Sequence, residues 1–283
     1  MNSPVPYPRG EHFFGMLGTS PVMRELFRQL QILSTLESTV CLEGEPGVGK
    51  KLAARILHRI GSRSEAPCLT LNTAELPPAL FEAHFFGHGE EAFAGLLGSR
   101  EGLVSQAEGG TLILEDITEL AEDDQRLVYR FLEDHRIRPV CEPPRGPLNV
   151  RLVCTSNRDI SGEVSAGRFD RNLYLALRVF TVRVPALREH LEDLPVLVQH
   201  FLGESVRSRA KAVEGLTSEA EALLAAYSWP GNVAELKEEI DRGVILTPAG
   251  GRIGPEVLSD KVRRAGEPRT DEAAGGRDGE ADV

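Results

Sequence analysis

The stretch STVCLEGEPGVGKKLAARILHRI, residues 38–60, decides the fold. It reads as a short apolar strand, a glycine turn and a helix whose Leu52, Ile56 and Ile60 recur every four residues. Within it, Gly44-Glu45-Pro46-Gly47-Val48-Gly49-Lys50 fits the G-x-x-x-x-G-K spacing of a phosphate-binding loop. The glycines let backbone N–H groups converge on phosphate oxygens, the helix dipole favours the anion, and Lys50 reaches the terminal phosphates. The plainer alternative is a Gly-rich turn closed by a surface lysine. A strand before and a helix after favour the phosphate site. Lys51 stands where the general motif places a Ser or Thr hydroxyl for magnesium.

Outward from this unit the same alternation repeats. Apolar runs occur at CLTLN (68–72), TLILED (111–116), VRLVCTSN (150–157) and VFTVRV (179–184), separated by helical stretches. Val22, Leu26, Leu30 and Leu33 predict a helix from about Ser20 to Leu33. The expected fold class is α/β, a P-loop core with a mainly parallel sheet covered by helices on both faces. Beyond Pro185 the pattern turns purely helical, with Ser218-Glu219-Ala220-Glu221 and Asn232-Val233-Ala234-Glu235 as candidate capping boxes. The expected organisation is an N-terminal arm over 1–14, an α/β core over 15–187, a small helical lid over 188–262 and a disordered acidic tail over 263–283.

Composition narrows the function classes. The chain has 283 residues with 41% hydrophobic and 27% charged residues, an ordinary globular balance. Asp and Glu total 43 against 32 Lys and Arg, a net charge of -11 that argues against a bare nucleic-acid-binding module. No apolar run reaches membrane-spanning length and nothing marks the N-terminus for secretion, so no membrane contact and a cytoplasmic location are expected. The four cysteines lack metal-ligand spacing, and Cys41 and Cys154, lying in apolar runs, read as core residues. His84 and His88 have metal-ligand spacing, but no further Cys or His nearby completes a zinc set.

Two further strand ends carry polar chemistry. Glu115 and Asp116 close an apolar run, an arrangement suited to holding magnesium water and activating an attacking water. Asn157, after Thr155 and Ser156, ends another run and offers a side chain toward a γ-phosphate.

The chain resembles the central AAA+ domain of bacterial enhancer-binding proteins, the activators that remodel sigma-54 RNA polymerase. The resemblance covers roughly 15–262 and rests on GTSPVMREL (18–26), GEPGVGKK (44–51), LNTAELPPALFEAHFFGHGEEAFAG (71–95), EGGTLILEDI (108–117), VRLVCTSNRDI (150–160), VPALREHLEDLPVLVQHFL (184–202) and WPGNVAELKEEI (229–240). It implies ATP and magnesium as cofactors, bound between subunits of a ring, with sigma-54 RNA polymerase or a homologous AAA+ activator as partner. It implies that Gly44, Glu45, Pro46, Gly47, Val48, Gly49, Lys50, Lys51 and Asn157 bind the nucleotide and that Glu115 holds magnesium. Glu115 and Asp116 are then the catalytic acids, and Asn72 matches the switch asparagine that couples the γ-phosphate to them. Glu91-Ala92-Phe93-Ala94-Gly95-Leu96 matches the sigma-contact loop, G-A-F-T-G-A in the family. Because the chain starts and stops around this unit, no direct DNA-binding domain is expected.

Departures from the family gather at working positions. The acidic pair is reversed from Asp-Glu to Glu115-Asp116, which leaves the water-activating carboxylate one methylene short. The arginine-finger stretch, F-R-x-D-L-x-x-R-L in the family, is Phe169 to Leu177 here, with Asp170 and Ala176 at the finger positions. Ala234 replaces the lid arginine, and Lys51 replaces the glutamate usual after the loop lysine. The expected function is an ATP-binding regulator of transcription with weak or absent hydrolysis, an ATPase by class but an impaired one. The alternatives are an active ATPase that remodels sigma-54 polymerase, and an interaction scaffold independent of nucleotide.

Overall fold

The structure, a computed structural model, describes residues 12–77, 80–89, 100–141 and 143–265. Its centre is a five-stranded parallel sheet built from β1 (Val40–Glu43), β2 (Cys68–Asn72), β3 (Thr111–Glu115), β4 (Arg151–Ser156) and β5 (Thr181–Arg183). The spatial order is β2-β3-β4-β1-β5, so the five apolar runs read from the sequence are the five strands of one sheet. Successive strand residues point to opposite faces. Cys41, Leu112, Leu114, Leu152 and Cys154 enter one apolar cluster, while Val40, Leu42, Ile113, Val153 and Val182 enter the other. Cys41 and Cys154 are register partners and buried free thiols, and burial pushes the Cys154 thiol up to about 12.

Helix α1 (Pro21–Ser34) starts where periodicity places it. Ser20 caps it and Pro21 occupies the first helical position, where no donor is lost. The residues before it are held by Asp193, whose Oδ1 accepts from the N–H groups of Thr19 (2.6 Å) and Ser20 (2.9 Å). Further upstream, His12–Phe13 and Met16–Leu17 form a small antiparallel hairpin, and Phe13 is 1% exposed with its ring stacked on Phe27. Residues 12–14 are thus part of the fold rather than the end of an arm over 1–14. Residues 1–11 and 266–283, including most of the expected tail, lie outside the described residues.

The chain divides into two compact units, one of residues up to Leu197 together with Trp229–Leu236, the other of Val198–Ser228 with the residues from Lys237. The expected core of 15–187 lies within the first unit, which also takes in residues 188–197 and 229–236. In the second unit, Leu216, Ala220, Leu224, Ile240, Val244, Ile253, Leu258 and Val262 are buried. Its helix Ser218–Ala226 is capped by Thr217, whose hydroxyl accepts from the Ala220 N–H at 3.3 Å. That cap lies one residue before the expected box, because adjacent hydroxyls at 217 and 218 give a sequence reading no means to choose. The second expected box is also shifted. Gly231 donates its N–H to Glu235 Oε2 at 2.8 Å and starts the helix Asn232–Leu246, which frees Asn232 for another task.

Candidate nucleotide site

Every candidate residue described here sits at the carboxyl edge of the sheet, where open parallel sheets bind ligands. β1 delivers Gly44, and the loop ends at Gly49, which caps helix α2 (Lys50–Arg59) with φ at +98°. That backbone conformation suits glycine. Gly47 has φ at +80°, and a Cβ there would stand 2.2 Å from the Gly231 carbonyl oxygen. Lys50 is 7% exposed, and its ammonium donates to the carbonyls of Gly44 and Glu45, at 2.8 Å each, and to Asn157 Oδ1 at 2.5 Å. Burial depresses its pKa, against the pull of Asp116 and Glu45. The loop lysine lies folded across its own loop.

The acidic residues lie beside it. Asp116 adopts a left-handed backbone with φ at +57°, and its N–H donates to the Thr155 hydroxyl at 3.1 Å. The Thr73 hydroxyl reaches the carbonyl oxygens of Glu115 at 3.0 Å and Asp116 at 2.7 Å. Asn157 accepts from Lys50, and its side chain also lowers the Asp116 pKa slightly, so it lies beside both expected working groups. Burial raises the Asp116 pKa, with Lys50 opposing. Asn72 is the register neighbour of Glu115, but its amide donates to Glu75 Oε1 at 2.7 Å and its Oδ1 accepts from the Ala74 N–H.

Glu115 points elsewhere than expected. Its residue is 9% exposed, and Oε1 forms an ion pair with Lys51 Nζ at 2.9 Å while having no hydrogen-bond partner. Where the family has a glutamate at position 51, Lys51 instead places a cation on the Glu115 carboxylate. The expectation that Glu115 holds magnesium therefore does not fit these residues. Among the described residues no group of three His, Cys, Asp or Glu could hold a metal ion.

Two residues of the site were not singled out from the sequence for their role here. Arg188 grips Glu45 through both guanidinium nitrogens and, with Asn232, holds that carboxyl at about 2. Asn232 Nδ2 donates to Glu45 Oε2 at 3.1 Å and to the Pro46 carbonyl at 2.9 Å, and its Oδ1 accepts from the Leu187 N–H at 2.9 Å. The family phrases at 184–202 and 229–240 contain both, so the signal was present as adjacency to recognised motifs. Ala234 donates its N–H to the Gly47 carbonyl at 3.1 Å. A cleft of about 340 Å³ opens beside the loop, lined in part by Glu43, Gly44, Glu45, Asn157 and Arg183.

Asp170, at one of the two expected finger positions, has a structural task. Asp170 caps the helix Arg171–Leu177, accepting from the N–H groups of Asn172 at 2.9 Å and Leu173 at 2.8 Å. Arg168 is held by both oxygens of Glu163, at 2.7 and 2.8 Å, whereas Arg171 is exposed. The expected sigma-contact loop, Glu91 to Leu96, lies outside the described residues.

Known families match most of the chain. Residues 16–183 match the model of the sigma-54 interaction domain, and residues 188–275 that of the AAA+ ATPase lid domain. The transcriptional regulatory protein ZraR of Escherichia coli is 40% identical over 233 residues, which are 82% of this chain and 53% of the relative. The chain thus spans about half the length of that relative. Crystal structures of NtrX from Brucella abortus in complex with ADP and with ATP superpose with TM-scores of 0.81 and 0.80 at 28% and 27% identity. Each covers 89% of this chain, which spans 56% and 58% of the respective NtrX chains. These findings correct the expected partners. The matched domain is named for interaction with sigma-54, not with a homologous AAA+ activator. The argument from chain length against a DNA-binding domain also lapses, since HyfR of E. coli, a DNA-binding transcriptional activator 36% identical over 228 residues (81% of this chain), is covered over only 34% of its length.

Proposed function

The chain belongs to the sigma-54 interaction domain family of AAA+ proteins, and from that premise we propose that it binds ATP at the Gly44–Lys50 loop, hydrolyses it weakly and serves sigma-54-dependent transcription in the cytoplasm. The observation that carries the reading is the Lys50 ammonium, buried among two loop carbonyls and Asn157. A triphosphate entering the loop exchanges those neutral acceptors for charged ones, and charge-assisted hydrogen bonds are about twice as strong. That NtrX, a similar structure, is found in complex with ADP and with ATP supports nucleotide binding. Among the described residues, no helix is long and apolar enough to cross a membrane.

Weak hydrolysis follows from three features. Asp116 is shorter by a methylene than the glutamate that activates water in the family, and a misplacement of about 1 Å can cost roughly a hundredfold in rate. Asp170 and Ala176 put a helix cap and a methyl group where the family has arginines. Ala234 contributes only a backbone N–H to the loop. Magnesium forms no part of this reading, since Lys51 already neutralises Glu115.

Titration calorimetry with ATP, alongside phosphate release at saturating ATP, tests the proposal. We expect saturable binding that Lys50→Ala abolishes, with turnover about a hundredfold or more below the ~1 s⁻¹ at the low end for enzymes. Turnover at ordinary enzymatic rates would overturn the clause on hydrolysis. Binding unchanged in Lys50→Ala would remove the loop as the site.

A further inference from the structure

The two departures nearest the loop touch each other. Lys51 lies on the first turn of α2, at the position that in P-loop proteins gives a hydroxyl to magnesium. Glu115 ends β3, where the first acid of the pair holds the metal's water in the family. Their ammonium and carboxylate meet at 2.9 Å, and Lys51 is the ion-pair partner of a buried oxygen that has no hydrogen bond. A cation is thus paired with the acid that would be expected to hold the metal's water. The Lys51 side chain is about half-exposed (52%), so its head remains free to turn toward an incoming anion. A divalent ion placed against this ammonium meets like charge, whereas a triphosphate meets two lysines, Lys50 and Lys51, on adjacent residues.

We propose that the Lys51 ammonium takes the place of magnesium, so that the loop binds a metal-free nucleoside triphosphate. This inference rests on the ATP-binding reading above and deepens it. Lys50 donates to the terminal phosphates from inside the loop, and Lys51, anchored on Glu115, supplies the second cation from the helix. No step of hydrolysis is routed through a metal.

The test is the equilibrium affinity of the full chain for ATP, measured by calorimetry once in excess EDTA and once in excess magnesium chloride. The expected result is an affinity in EDTA equal to or tighter than that in magnesium, within about threefold of it if weaker. Lys51→Thr removes the cation and supplies the hydroxyl of the general P-loop motif, and its binding should become about tenfold or more tighter in magnesium than in EDTA. Wild-type binding that requires magnesium, or that tightens about tenfold on adding it, would overturn the inference while leaving the ATP-binding reading intact. Binding in neither buffer, by protein whose circular dichroism is native, would overturn both. Should Lys51→Thr prove unstable, Lys51→Arg gives a second check. It keeps the cation and should keep binding insensitive to magnesium.

Discussion

Asn232 donates from Nδ2 to the carbonyl oxygen of Pro46 at 2.9 Å, joining residues separated by 186 positions in the chain. The same side chain accepts from Leu187 and donates to Glu45, so one fully buried amide fastens residues 187 and 232 to the phosphate loop. Asparagine suits the task because it tolerates the left-handed backbone found here, with φ at +56°.

Removing that amide leaves the buried Leu187 N–H without its partner, whereas Pro46 is exposed and its carbonyl can turn to water. An unsatisfied buried group costs about 1–3 kcal/mol, so Asn232→Ala should lose about that much. Urea denaturation gives the value directly. Asn232→Asp should be no better at neutral pH, since it sets a second carboxylate where the amide now donates to Glu45 at 3.1 Å. A loss below about 0.5 kcal/mol in both variants would mean that the loop is held in place by other contacts.

Asp124, on the first turn of the helix Glu122–Asp134, should give the protein a distinct pH dependence. Burial, then the charges of Glu82 and Asp123, raise its pKa to about 6. A carboxyl raised in the folded state favours folding when protonated. Its contribution is complete below the unfolded value near 4 and is lost as pH rises through about 6. The shift corresponds to about 2–3 kcal/mol across that window. Glu45 acts in the opposite sense at lower pH, since its depressed value near 2 means stability lost as pH falls below about 4. Subtracting the stability of Asp124→Asn from wild type between pH 4 and 8 isolates the first effect. A flat difference curve would refute the assignment.

Phe13 is 1% exposed and stacked on Phe27 with ring centroids 4.8 Å apart. Phe13→Ala should therefore cost about 3–5 kcal/mol, as expected for a large side chain deleted from a core, and Phe13→Leu considerably less. Thermal unfolding reads both. A Phe13→Ala loss under about 1 kcal/mol would return this hairpin to the status of an arm.

That hairpin marks the limit of what the sequence reveals. The five strands were legible because a buried parallel strand is a short apolar run, and α1 because its apolar residues keep the helical period. Strands of two residues, His12–Phe13 and Met16–Leu17, have no period to read. The loop and the acidic pair were legible as spacing and residue type. What they touch was not. The Lys51–Glu115 pair, the Lys50–Asn157 hydrogen bond and the Asn232 clasp depend on which strand ends the fold brings together. Asn232 was legible only as a helix start, because capping and bridging use the same side-chain atoms.

Asp116 offers the sharpest test of the weak turnover. Its backbone is fixed at φ +57° by the Thr155 hydroxyl below it and by Thr73 on its carbonyl, so the carboxylate cannot advance by moving the chain. Only a longer side chain moves it outward. Asp116→Glu adds one methylene at a half-buried position, and should raise phosphate release by about tenfold to a hundredfold. ATP affinity should change little, since Lys50 keeps its loop contacts and Asn157. Single-turnover release at saturating ATP separates these effects by reading the chemical step alone. An unchanged rate, with affinity preserved, would place the defect instead at the missing cations of positions 170, 176 and 234. Doubling Asp116→Glu with Ala234→Arg would then be the variant that recovers turnover, because the arginine would rise from the residue whose N–H already donates to Gly47 in the loop.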